Sequence, residues 1–230
     1  MTRTATRAAT TSMADTALLR LLSWLSPTFP TGAFAWSHGL EWAVEAGDIH
    51  DTSSLRGWLT DLLAHGSART DAILLRHAHR ACRDRMALAS VAALGRAVQP
   101  SRERLAETVG QGNAFVRAAT PWGIDAVTGL GELPYPVAVG ALAGTHGIGE
   151  DDACAATLQA GIANLISAAV RLVPLGQSAG LSVLAALEPL VLAVAAETRD
   201  AMLEDIGSAC FRSDLAAMRH ETQYTRLFRS

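Results

Sequence analysis

The stretch Thr52-Ser53-Ser54-Leu55-Arg56-Gly57-Trp58-Leu59-Thr60-Asp61-Leu62-Leu63 decides the fold class. Leu55, Trp58, Leu59, Leu62 and Leu63 fall at i, i+3, i+4, i+7 and i+8, the template of a helix with one face in a core. Thr52 or Ser53 is placed to cap its first turn. The same period continues on both sides. Asp15 precedes a leucine stripe of Leu18, Leu21, Leu22 and Leu25, and helical runs follow over 70–83, 86–98 and 101–120. Gly110-Gln111-Gly112 lies inside the last run, where glycine costs about 1 kcal/mol relative to alanine; it marks either a close helix approach or a break. A loop-like stretch over 121–136 leads to helices over 135–146, 152–172 and 178–196, the last holding Pro189, where a kink is expected. No segment alternates β-branched residues in the manner of a strand. The reading is all-α: a single-domain bundle of about ten helices over residues 15–211, with a disordered tail at 1–14 and a C-terminal segment at 212–230.

Composition agrees and excludes several function classes. Half the residues are hydrophobic and 18% are charged, enough to bury a large core. A net charge of −3 leaves no nucleic-acid footprint. All 19 basic residues are arginine, so a Walker A phosphate loop and lysine Schiff-base chemistry are both excluded. Cys82, Cys154 and Cys210 are odd in number and widely spaced, which points away from a disulfide framework and to a reducing compartment. The most apolar window, 181–196, is broken by Glu188 and Pro189 and reads as a core helix, not a membrane span.

Ser26-Pro27-Thr28-Phe29-Pro30-Thr31-Gly32-Ala33-Phe34-Ala35-Trp36-Ser37-His38-Gly39-Leu40-Glu41 is the least helical part of the N-terminal half. Pro27 ends the preceding helix, and Phe29-Pro30-Thr31-Gly32 suits a type I turn. Ser37 can cap a short helix with Trp36, Leu40, Ala43, Val44 and Gly47 inward. His38, Glu41 and Glu45 are then expected outward, with Trp42 beside them, as a contact face. From physics alone the loop is either a packed inter-helix connection or part of that face.

Candidate chemistry is sparse. His77 and His79 lie on opposite sides of a helix and cannot chelate together; His79 and Cys82 could, but two ligands do not close a metal site. His38 and Glu41 are spaced as an acid–base pair or as a solvated contact, with no nucleophile or cofactor loop beside them. No Gly-x-Ser-x-Gly, His-Glu-x-x-His or Gly-x-Gly-x-x-Gly motif occurs. The chain therefore reads as a binding protein and not an enzyme, with no metal site and no cofactor. A metal carrier using His38, His77, His79 or Cys82 is the competing class. The C-terminal end carries Arg212, Arg219, Arg226 and Arg229 against Asp214 and Glu221, with Tyr224, Leu227 and Phe228 on one helical spacing. A basic, amphipathic end of this kind can dock on its own domain, fray, or fold against a partner.

Leu25-Ser26-Pro27-x-x-Pro30-x-Gly32-x-Phe34-x-x-Ser37-His38-Gly39-Leu40-Glu41 resembles the N-terminal signature of the UreF family of urease accessory proteins. Tyr135-Pro136-Val137 through Gly140, and Arg171-Leu172-Val173-Pro174-Leu175-Gly176-Gln177, resemble its middle blocks. Met218-Arg219-His220-Glu221 and Tyr224-Thr225-Arg226-Leu227-Phe228-Arg229-Ser230 resemble its C-terminal block. Thr31 stands where a second glycine is common. The resemblance implies an all-helical, dimeric, cytoplasmic chaperone without turnover of its own. It implies action with UreD (also called UreH), the GTPase UreG and apo-urease in nickel insertion, with nickel handled by the complex and GTP bound by UreG. By position it implies partner binding by Ser37, His38, Glu41, Trp42, Arg219, His220, Glu221, Tyr224, Arg226, Leu227 and Phe228, the C-terminal part becoming ordered on a partner. Pro27, Pro30, Gly32, Gly39, Arg171, Gly176 and Gln177 shape the fold in this reading. Two mechanisms follow: a scaffold that joins UreD to UreG, or a modulator of the UreG GTPase with Arg226 as an arginine finger.

Overall fold

The computed structural model describes residues 13–230 of the chain; most of the tail expected at 1–14 lies outside the described residues. Ten α-helices and no strand occur among the described residues. They are α1 (Met13–Trp24), α2 (Leu40–Glu45), α3 (Thr52–His65), α4 (Ser67–Arg80), α5 (Arg85–Ala97), α6 (Arg102–Ala119), α7 (Tyr135–Thr145), α8 (Glu150–Leu172), α9 (Gln177–Glu197) and α10 (Phe211–His220).

The stripe of α3 is buried as its period predicts: Leu55, Trp58, Leu59, Leu62 and Leu63 all face inward. Its cap is Asp51, one residue before the expected Thr52 or Ser53. Asp51 Oδ1 accepts the Ser54 N–H at 2.8 Å and the Ser54 hydroxyl accepts the Asp51 N–H at 3.0 Å, a reciprocal capping box. Asp84 caps α5 by accepting the Met86 and Ala87 N–H groups, and Ser101 caps α6 by accepting that of Arg104, without the reciprocal bond, which is why those helices start where polar residues precede apolar periods. Helix α1 already includes Met13, the first described residue, so Asp15 lies within the helix and not at the cap position expected of it. Its buried face is Leu21 and Trp24; Leu18 and Leu22 are exposed.

The centre of the bundle is α7, whose residues from Pro136 to Ala143 are all buried, packed by α4, α5, α6 and α8. A helix apolar on every side has no solvent face to offer and becomes the core. Helix α6 is unbroken through Gly110 and Gly112. Gly112 marks the close approach: a Cβ there would sit 1.9 Å from the Leu133 carbonyl oxygen. By length and composition alone α8 and the segment Gln177–Asp200, in spite of Glu188 and Pro189, would suffice to cross a bilayer, a test that core helices also pass. In the fold they pack on each other and on α4, with α3 also against α9. Pro189 is carried inside α9.

One polar assembly lies at the edge of this core. Arg76 of α4 is 1% exposed and donates to Glu150 Oε1 (2.6 Å), Asp151 Oδ1 (2.8 Å), Thr198 Oγ1 (3.3 Å) and the Ala195 carbonyl. It thereby joins the start of α8 to the end of α9. Arg80 and Arg199 pair with the same two carboxylates from the solvent side.

The loop before α2 is tighter than expected. Phe29 N–H donates to Ser26 O at 2.9 Å, so the β-turn surrounds Pro27; Thr31 N–H then donates to Phe29 O at 2.7 Å around Pro30. Gly32 completes the reversal at φ +76°. Phe29 packs 5.6 Å from Phe115, which also holds Trp24 and Tyr135 edge-on. This aromatic cluster orders the loop.

Candidate functional site

The loop delivers the chain into two successive left-handed residues, His38 (φ 62°) and Gly39 (φ 76°). At Gly39 a Cβ would meet the Ala217 backbone nitrogen at 2.6 Å, so only glycine lets α10 cross the start of α2. The reversal turns Glu41 inward, against the expectation that it faces solvent. Glu41 is buried: Oε1 accepts the Leu227 N–H (2.6 Å), and Oε2 accepts the Phe228 N–H (2.9 Å) and faces His220 Nε2 at 3.1 Å. A carboxylate that collects backbone N–H groups across the chain is a strong, charge-assisted anchor.

The rest of the C-terminal segment is fixed around that point. His220 is fully buried, its Nδ1 2.6 Å from Glu103 Oε2, while Arg226 Nη1 donates to Glu103 Oε1 at 2.8 Å. Ser37 donates its N–H (2.8 Å) and its hydroxyl to the Ser230 carbonyl. The Ser37 hydroxyl also accepts the Glu41 N–H at 3.2 Å, but the helix starts at Leu40 with Gly39 as its N-cap, so Ser37 is not the cap expected of it. Ser230 Oγ donates to Glu107 Oε2 at 2.8 Å. Phe228 is buried beneath Arg171, whose guanidinium lies 4.3 Å from its ring centre and 3.6 Å from that of Phe34. Glu221 accepts the Arg102 N–H (2.7 Å) and Nε–H (3.0 Å) at the first turn of α6.

The residues named for partner binding thus divide. Ser37, Glu41, His220 and Phe228 are buried anchors, and His38 is largely enclosed, its Nε2 2.7 Å from Ser67 Oγ. Trp42 and Glu221 are half-buried. Arg219, Tyr224, Arg226 and Leu227 face solvent, Tyr224 completely. The outward His38 and Glu41 of the sequence reading are corrected: two left-handed residues, not a regular first turn, set their direction. Of the shaping residues, Gly176 starts α9 at φ +74° with Gln177 as its first residue. His77 and His79 spend their Nε2 atoms on the carbonyls of Ala201 and Ile148, and no group of three potential ligands gathers among the described residues.

Glu103, Arg104 and Glu107 of α6 are absent from the sequence reading, although Glu107 follows Arg104 by three residues and Glu103 by four, a readable signal on one helix face. Burial alone would raise Glu107, but the Arg104 guanidinium and the His38 ring outweigh it and hold the carboxyl at about 2. Burial dominates at His38 and moves it down, with Arg104 adding in the same direction. Since Glu107 is lowered on folding, its stabilisation is complete above the ordinary carboxylate value of 4.5 and is lost as pH falls toward 2.

Asp71 behaves oppositely. It lines a cleft of about 880 Å³ between the 26–34 loop, α4, α6 and α8 that also reaches Arg104 and Glu107. Burial pushes its carboxyl up to about 7; Arg104 opposes this and the Glu107 charge adds to it. A carboxyl raised on folding favours the folded state below its unfolded value of 3.8 and loses that favour as pH rises to 7. Asp71→Asn is therefore expected to leave stability unchanged near pH 4 and to raise it at pH 8 by about 2 kcal/mol, allowing for the partial exposure of the side chain. Urea unfolding at the two pH values checks this; equal gains at both would refute the sign.

Comparison with known proteins gives one consistent result. The sequence profile of the UreF family matches residues 49–188. A urease accessory protein UreF from Bradyrhizobium sp. (strain BTAi1 / ATCC BAA-1182) is 53% identical over 230 residues, covering 97% of this chain and 96% of the relative. Those of Xanthobacter autotrophicus (strain ATCC BAA-1158 / Py2) and Cereibacter sphaeroides (strain KD131 / KCTC 12085) are each 55% identical, covering 94% and 93% of this chain and 93% and 99% of the relatives. With this similarity over nearly its whole length, the chain belongs to the UreF family of urease accessory proteins.

Proposed function

We propose that the protein is a non-enzymatic scaffold of urease maturation that joins UreD/UreH to the GTPase UreG, so that nickel reaches apo-urease through their complex. It acts in the cytoplasm as a homodimer, without a cofactor of its own. The observation that carries this reading is the division within the C-terminal segment. Glu41, His220, Ser37 and Phe228 hold it rigidly from beneath, while Tyr224, Leu227, Arg219 and Arg226 are presented outward. A rigid, solvent-facing mixture of aromatic, aliphatic and arginine side chains is the composition of a protein-docking surface. Arg226 is ion-paired to Glu103 at 2.8 Å, which favours a positioning role over that of a free arginine finger.

Co-expression with UreD and UreG followed by size-exclusion chromatography tests the reading. The full chain is expected to elute in a mixed complex, and a chain lacking residues 221–230 is expected to lose both partners. A truncated chain that still assembles fully would reject it.

A further inference from the structure

Side chains from the loop before α2, from α4 and from α6 meet on the cleft of about 880 Å³. The sequence reading finds no nucleophile beside His38, but the fold brings one from 29 residues away: Ser67 Oγ lies 2.7 Å from His38 Nε2. On the other side of the ring, His38 Nδ1 lies 3.8 Å from Glu107 Oε1. Hydroxyl, imidazole and carboxylate in this order make the serine–histidine–acid arrangement of acyl transfer, which is recognised by geometry and roles and not by sequence position. The outer contact is longer than a hydrogen bond, as such contacts often are before a substrate is bound.

The charge states agree with those roles. Burial and Arg104 hold His38 below its ordinary value, against the opposing charges of Glu107 on α6 and Asp214 on α10, so the ring is neutral at pH 7 and can take a proton. Glu107, held at about 2, is ionised and faces the imidazolium that would form. The His38 backbone is fixed in the left-handed region at φ 62°, a strained state for a residue with a side chain, and its N–H donates to Ser230 Oγ at 3.1 Å. Ser67 is the first residue of α4, directly after Gly66. Its N–H and that of Ala68 have no backbone acceptor among the described residues. The positive end of a 14-residue helix thus offers two donors beside the nucleophile, where an oxyanion is stabilised. Leu21, Trp24, Leu158 and Ile162 give the cleft an apolar wall for a short acyl chain.

We propose that Ser67 is an acyl-acceptor serine, taking a short apolar acyl group from an activated ester or thioester, with His38 as its base and Glu107 as the positioning residue. Ser67 Oγ bonds to the carbonyl carbon while its proton passes to His38 Nε2, and the carbonyl oxygen takes the displaced electron pair as an oxyanion. Collapse breaks the bond to the leaving oxygen or sulfur, which departs with that bond's electrons and receives the proton from Nε2. The products are acyl-Ser67 and a free alcohol or thiol. The His38 side chain is 14% exposed, and an acyl group in the cleft stands between it and water, so the adduct accumulates at one per chain. The reaction is independent of the scaffold reading and adds no turnover to it.

The test treats the full chain with p-nitrophenyl butyrate and follows nitrophenolate release, the intact mass and the modified peptide. One nitrophenolate and one butyryl group per chain are expected, with the butyryl group on Ser67. The Ser67 side chain makes one contact, to His38, so Ser67→Ala is expected to fold, to stay unlabelled and to assemble with partners as the unaltered chain does. His38→Asn, which tolerates the left-handed backbone, is expected to slow acylation by about 100-fold or more. The rate is expected to rise as His38 loses its proton and to level off by about pH 7. Glu107→Gln is expected to move the midpoint of that rise to lower pH, because the imidazolium loses its counter-charge; a merely structural defect would lower the rate without moving the midpoint. Melting curves establish that each variant is folded. A butyryl group on Cys82 or Tyr224 in place of Ser67, or equal rates in the unaltered chain, Ser67→Ala and His38→Asn, overturns the inference and leaves the scaffold reading standing. An unmoved midpoint in folded Glu107→Gln overturns the part assigned to Glu107.

Discussion

Glu41→Ala is expected to detach the last residues of the chain and to lower stability by about 3 kcal/mol. The buried side chain receives the backbone N–H groups of Leu227 and Phe228 and lies 3.1 Å from His220 Nε2. Removing it leaves the buried Phe228 amide, the part-buried Leu227 amide and the buried imidazole without the partner they share. Each unsatisfied group costs about 1–3 kcal/mol, and release of the segment recovers part of that by returning the amides to water while exposing Phe228. For a domain of this size the loss corresponds to a melting temperature lower by about 6–12 °C. Glu41→Gln keeps one acceptor and is expected to fall between the two. Hydrogen exchange gives the sharper reading: the amides of Leu227 and Phe228 lose protection in the alanine variant while those of α7 keep it. Unchanged protection at 227–228 would show that Ser37 and the Arg171 stack suffice without Glu41. The same variant is expected to lose partner assembly under the scaffold reading, because the docking residues would no longer be held in place.

The second large effect lies far from that surface. Arg76→Ala is expected to lower stability by about 3–5 kcal/mol, the range for removing one member of a buried ion pair. Four acceptors on α8 and α9 lose their donor at once, among them the Ala195 carbonyl and Thr198 Oγ1, which are buried. Glu150 and Asp151 retain Arg80 and Arg199, which places the value toward the lower end. Arg76→Lys supplies a point charge where a planar fork is used, and is expected to recover only part of the loss. The midpoint of urea unfolding measures the effect. A shift under 1 kcal/mol in the alanine variant would mean that the outer arginines carry the junction alone. Partner binding by folded Arg76→Ala is expected to be normal, which separates a stability defect from a docking defect.

These two residues mark the limits of reading from sequence. Arg76 sits among Ile73, Leu74 and Ala78, and its period could place it at the core edge, yet nothing local indicates that Glu150 and Asp151 meet it from 74 and 75 residues away. Asp71 and Arg104 look like ordinary helix-surface charges until α4 and α6 close on one cleft and raise the first toward 7. A helical wheel begun at Ser37 points Glu41 outward because it presumes regular turns, whereas His38 and Gly39 are left-handed and displace the wheel's origin.

What the sequence determined by itself is the class and the family: the helical period and buried stripe of α3, an apolar α7, and ordered motif blocks from Leu25 to Ser230. Those features depend on hydrogen bonds and side-chain spacings within about four residues, so the local sequence contains their causes. Only the tertiary structure decided that Glu41 faces inward, and that Phe228 is an anchor and Tyr224 is not. Those outcomes rest on contacts such as Glu41 with Leu227, 186 residues apart, where direction follows from how the whole bundle closes.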